Sequence, residues 1–127
     1  MTATPIHIGR ILLPIDFSEF SSQALRHALA TARKFKARLK VVYVIPQIYP
    51  IGEAMLVGTP WLATPEVRKK AEEDVHTFMA SAREARIDHE MEIREGDPWR
   101  EILASAEEMP ADLVVMGTHG RSGPERF

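Results

Sequence analysis

Gly117, Gly120 and Gly123 recur at every third position of the run GTHGRSG, directly after the apolar segment ADLVVM. Glycine lets the backbone approach a ligand closely, and successive backbone N–H groups can converge on phosphate oxygens. Thr118, His119 and Ser122 add side-chain donors to the same run. By spacing alone, an ordinary turn between a strand and a helix fits equally well. The run is not a Walker loop, because GxxxxGK[ST] occurs nowhere in the chain. Nor is it the dinucleotide fingerprint, which belongs after the first strand; here that strand runs into PIDFSE, which has no glycine.

Asp16 is the second candidate. It follows the apolar run ILLPI, where a carboxylate can accept from an adenine amino group or a sugar hydroxyl. It can also cap the helix that follows, and both roles fit one side chain with two oxygens. The chain's 5 histidines, His7, His27, His76, His89 and His119, show no HExxH or comparable ligand spacing. His119 is the one within the glycine run; His27 and His76 read as surface or boundary residues, and His89 as one face of a strand. A Ser–His–Asp triad has no GxSxG elbow to support it. Asp97 reads as a helix cap, and Trp61 and Trp99 as packing residues. No catalytic group and no metal site is expected.

These residues need a scaffold, and the apolar periodicity supplies one. Ile11, Leu12 and Leu13 are consecutive, as in a strand buried on both faces, and Pro14 and Asp16 end it. Ala24, Ala28 and Ala32, widened by Leu25, Leu29 and Phe35, predict a helix capped by Asp16 or Ser18. Its polar face carries Gln23, Arg26, Arg33 and Lys34. Residues 39–45 (LKVVYVI) predict a β-branched strand stopped by Pro46. Residues 46–64 are rich in proline and glycine yet also in Ile48, Tyr49, Met55, Leu56, Trp61 and Leu62. A loop of that length and apolarity is expected to pack over something or contact a partner subunit. Thr64-Pro65 starts a helix, with Val67, Ala71, Val75, Phe78 or Met79, and Ala82 as its stripe, ending near Arg86. Residues 87–94 (IDHEMEIR) alternate as a strand with one solvated face near a sheet edge. Asp97-Pro98 opens a helix to about Glu108, and residues 111–116 form a last buried strand.

Strands that alternate with helices predict an α/β fold with a parallel sheet and right-handed crossovers. In such sheets ligands bind beyond the strand carboxyl ends. Residues 14–18, 44–46 and 117–123 fall there.

The 127 residues suit one domain, and 45% apolar with 27% charged residues is ordinary for a globular chain. A net charge of -2 argues against a nucleic-acid binder that works by neutralising phosphates. With no cysteine there is no disulfide, thiolate metal site or cysteine nucleophile. No apolar run approaches membrane-span length, and the N-terminus MTATPIHIGR lacks the features of a signal peptide. A cytoplasmic location, with no membrane and no nucleic-acid partner, is the expectation.

Four pieces in order, ILLPIDFSEFSSQALRHALA at 11–30, VVYVI at 41–45, EGDPWREIL at 95–103 and ADLVVMGTHGRSG at 111–123, resemble the universal stress protein family. The resemblance is to its UspA-like, nucleotide-binding branch. It implies a doubly wound parallel sheet of order 3-2-1-4-5 with helices on both faces, related to the Rossmann-like adenine nucleotide alpha hydrolases. It also implies a homodimer and a regulatory or stress-protective role. ATP or a related adenine nucleotide, with magnesium as an optional companion, would be the ligand, with little or no hydrolysis. Carried over, Gly117 and Gly120 stand near the ribose and phosphates, Asp16 contacts the base end, and the Val44 backbone faces adenine. His119, Arg121 and Ser122 lie in the same loop. The family's third phosphate-loop glycine would fall beyond Phe127, together with the last helix and fifth strand. A tail missing from the sequence, a shortened gene and completion by a partner are the open readings of that. The alternative function on the same fold is a nucleotide-independent interaction module, its cleft filled by Met55, Trp61 or Leu62.

Overall fold

The computed structural model describes residues 6–47 and 63–117. Its elements run β1 (Arg10–Ile15), α1 (Glu19–Phe35), β2 (Arg38–Pro46), α2 (Pro65–Phe78), α3 (Ala80–Glu84), β3 (His89–Gly96), α4 (Pro98–Glu108) and β4 (Leu113–Val114). The strands form one sheet in the order β3-β2-β1-β4, every pairing parallel. This is the α/β architecture expected from the alternation of elements, with helices on both faces. No helix among the described residues is long and apolar enough to cross a membrane.

The two faces of the sheet follow from the two-residue period of a strand. Ile11, Leu13 and Ile15 of β1 and Leu39, Val41 and Ile45 of β2 point to one side. There they bury Ala24, Leu25, Ala28 and Ala32 of α1 together with Ala71, Val75, Met79 and Ala82. Leu12, Val42 and Val44 point to the other side, where Ile102 and Ala106 of α4 cover them. Small alanines along α1 let that helix lie close to the sheet.

The caps are those of a chain whose local signals agree with its fold. Ser18 Oγ accepts from the Ser21 N–H at 3.2 Å and so caps α1, while Thr64 Oγ1 accepts from the Val67 N–H at 3.1 Å to cap α2. Pro65 and Pro98 occupy the first turns of their helices. Asp97 stands at the cap position of α4, but its side chain makes no capping hydrogen bond, unlike the expectation for it.

Three further expectations are adjusted. The helix from Pro65 to about residue 86 is split at Met79, whose ψ of 15° leaves the helical region. Met79 is buried, and Ala82 is buried beyond the break. Val67 is 47% exposed and stands outside the apolar stripe assigned to it. The last strand is short, Leu113–Val114, although Asp112 N–H to Arg10 C=O (2.8 Å) and Val115 N–H to Leu12 C=O (2.9 Å) extend its pairing at both ends.

The polar side of β3 departs most from the sequence reading. Glu90 is exposed as expected, but Glu92 and Arg94 are half-buried beneath α4 rather than solvated. Lys40 Nζ lies 3.0 Å from Glu92 Oε1, and the Ser105 hydroxyl donates to the same oxygen at 2.7 Å. Arg94 reaches Glu92 at 2.9 Å, Glu101 at 2.8 Å and Glu108 at 3.2 Å. Helix α4 thus brings its own polar groups to meet those of the strand, and no buried side-chain polar atom among the described residues is left without a partner. The hydrogen bonds that Arg94 donates to Glu108 and Glu101 hold its guanidinium charged well above its ordinary range.

Candidate functional site

β1, β2 and β4 are parallel, so their carboxyl ends share one rim of the sheet, and the first turns of α1 and α4 rise from that rim. Between them opens a cleft of about 310 Å³. Pro14, Ile15 and Asp16 come from β1 and its exit, Val42, Tyr43, Val44 and Pro46 from β2, and Met116 and Gly117 from beyond β4. Ser21 of α1 and Pro98, Trp99 and Ile102 of α4 close the sides. Apolar walls with a few polar groups converging on one end are the usual make-up of a small-molecule site, and the volume lies at the small end of that class.

The polar end is built around Asp16. Its Oδ1 accepts from the Ser18 N–H at 2.9 Å and from the Ser21 hydroxyl at 2.7 Å. The Asp16 N–H donates to Ser21 Oγ at 2.9 Å. These bonds hold the turn from β1 into α1, with Ser18 rather than Asp16 as the cap. The next residue, Phe17, has a φ of 65°, a left-handed conformation that a bulky side chain rarely adopts. Its ring rests against Tyr43, 4.7 Å between centroids, and meets Phe78 edge-on at 6.0 Å. The backbone strain is offset by seating that ring. The Tyr43 phenol titrates above its ordinary range, first through burial and then through the charges of Asp74 and Asp16.

Gly117 is at its position for a steric reason. A Cβ there would come within 2.5 Å of the Phe20 carbonyl oxygen and 2.6 Å of its carbon. The chain leaving β4 therefore passes directly over the first turn of α1. At the opposite end of β4, Asp112 Oδ2 accepts from the N–H groups of Gly9 (2.8 Å) and Arg10 (2.9 Å), and these bonds hold its carboxyl below the usual range.

Of the residues singled out in the sequence, Asp16, Val44 and Gly117 line this one cleft. His119, Gly120, Arg121 and Ser122 lie outside the described residues, as do Met55, Trp61 and Leu62 and most of the apolar loop. Tyr43, Trp99, Ile102 and Met116 are lining residues that sequence reasoning did not single out. Trp99, expected to pack, is instead 65% exposed. A signal for it existed: the helix opened by Asp97-Pro98 follows a parallel strand directly, so its first turn must lie at the rim where the strands end. Among the described residues no cluster of His, Asp or Glu is grouped to hold a metal ion.

Comparison with known proteins bears on the family and the fold. The family model "Universal stress protein family" matches residues 7–127. A universal stress protein of Methanocaldococcus jannaschii is 32% identical over 118 residues, 93% of this chain and 69% of that protein. The crystal structure of a universal stress protein family member from Burkholderia pseudomallei superposes with a TM-score of 0.69 at 27% identity, covering 94% of this chain and 86% of that one. An Arabidopsis thaliana member of the family, solved with AMP bound, shares the fold with a TM-score of 0.61 at 16% identity, over 93% of this chain and 81% of that one.

Proposed function

The chain belongs to the universal stress protein family, and on that footing we propose that it binds ATP or a related adenine nucleotide in the cleft at the strand carboxyl ends. The observation that carries the reading is the convergence of Asp16, Val44 and Gly117 on one apolar cleft at the rim where parallel α/β sheets bind ligands. The lining suits the nucleoside part of such a ligand. Apolar walls from Val44, Pro46, Ile102 and Met116 accommodate a base, and Asp16 supplies an acceptor for an exocyclic amine or a ribose hydroxyl. Gly117 keeps the backbone close to α1 without a side chain in the way. Gly120, with His119, Arg121 and Ser122, is assigned to the ribose and phosphates by family resemblance. The AMP bound to the Arabidopsis relative supports an adenylate as the ligand class.

The role is regulatory or stress-protective rather than catalytic. Among the described lining residues Asp16 is the one charged side chain, and it is committed to the turn through Ser18 and Ser21. Nucleotide occupancy alters the surface offered to partners, hydrolysis is slow or absent, and the chain acts as a homodimer in the cytoplasm. Titration calorimetry with ATP, ADP and AMP, paired with a phosphate-release assay, tests this. Saturable binding with negligible turnover is the expected result. Turnover of tens per second would replace this reading with an enzymatic one.

A further inference from the structure

We infer that the indole of Trp99 forms one wall of the base end of the cleft, against which a planar purine stacks; this deepens the adenine-nucleotide reading and rests on it. Trp99, Ile102 and Ala106 are spaced to share one face of α4. At Ile102 and Ala106 that face is packed on Leu12, Val42 and Val44. At Trp99 the sheet has run out, since β2 ends at Pro46 and β3 at Gly96. The indole therefore overhangs the cleft, which it lines beside Val44, Pro46, Ile102 and Met116, and it exposes 65% of its surface.

A side chain of this size normally buries most of its area. Here a core-facing position of the helix is left bare over a concave apolar space. The occupant that fits has a flat apolar face for the indole and a hydrogen-bonding edge for the polar end, where Asp16 and Ser21 line the same cleft. A purine base carrying its ribose has both. Triphosphate alone has neither, and its charge would meet the Asp16 carboxylate. Trp99 thus makes the site selective for the base rather than for the phosphates.

The chain has 2 tryptophans, so Trp61→Phe leaves Trp99 as the single indole reporter. In that background, ATP and adenosine are each expected to quench the Trp99 emission saturably, while inorganic triphosphate does not. Trp99→Ala should weaken ATP and adenosine by the same factor, roughly 5- to 150-fold on the scale of base–aromatic stacking, and Trp99→Phe should restore most of the affinity. If wild-type protein binds ATP by calorimetry and Trp99→Ala binds it equally well, the stacking role is overturned while the nucleotide reading stands. If wild-type protein binds neither ATP nor adenosine, both fall together.

Discussion

The Asp16 carboxylate accepts from Ser18 and Ser21 and also lines the cleft, so replacing it acts on folding and on binding together. Asp16→Ala is expected to lower stability by about 1 kcal/mol, the scale of a lost local cap, and to weaken ATP by roughly tenfold or more. Asp16→Asn keeps an acceptor oxygen for the turn and should recover most of the stability with less of the affinity. Urea denaturation and calorimetry on the same preparations separate the two effects, and equal loss of both by the two variants would contradict the dual role. Gly117 is simpler. Its missing Cβ is required by the Phe20 backbone, so Gly117→Ala should cost about 1–3 kcal/mol, read as a lower urea midpoint. Asp16, Val44 and Gly117 could be read from the sequence because each stands where a strand visibly ends. Trp99 was expected only to pack, because its place at the rim follows from the order of strand and helix around it and not from the residue itself.

Among the elements, α4 fixes one wall of the cleft, and its seating on β2 and β3 is partly ionic. Burial by itself would raise the Glu92 carboxyl, but hydrogen bonds from Ser105 and Lys40 and the charges of Lys40 and Arg94 outweigh it and leave it below its ordinary 4.5. A carboxyl whose folded pKa is depressed stabilises the fold at any pH above its unfolded value. That contribution is lost as the pH falls through the folded value. Acid denaturation midpoints below about pH 4.5 are therefore expected to depend on Glu92. Glu92→Gln should be less stable than wild type at neutral pH, by about 1–3 kcal/mol for a lost charged hydrogen-bond partner, and the gap should narrow at low pH. A gap that stays constant with pH would show that the carboxylate charge contributes nothing. The alternation in residues 87–94 announced a strand with a polar face, yet alternation cannot reveal that Glu101, Ser105 and Glu108 on α4 would be brought down onto that face. Likewise the split at Met79 left no trace, since Val75, Met79 and Ala82 keep a helical spacing across it.

Taken as a whole, the molecule has the strand order 3-2-1-4 that the family resemblance implied for its first four strands, in the parallel sheet that the β-α-β alternation itself predicted. Quaternary structure was not legible in that way and rests on family resemblance. Light scattering at micromolar concentration should give twice the mass of the chain, and a monomeric mass across that range would remove the dimer from the proposal. Nucleotide binding is tested most directly by thermal unfolding with and without ATP. A ligand that binds only the folded state at a Kd tenfold below its concentration stabilises it by about 1.4 kcal/mol. For a domain of this size that corresponds to a rise in melting temperature of roughly 5 °C. At millimolar ATP the melting temperature should therefore rise by several degrees, and it should go on rising with the logarithm of the ATP concentration. An unchanged melting temperature at the same ATP concentration would contradict nucleotide binding by this chain.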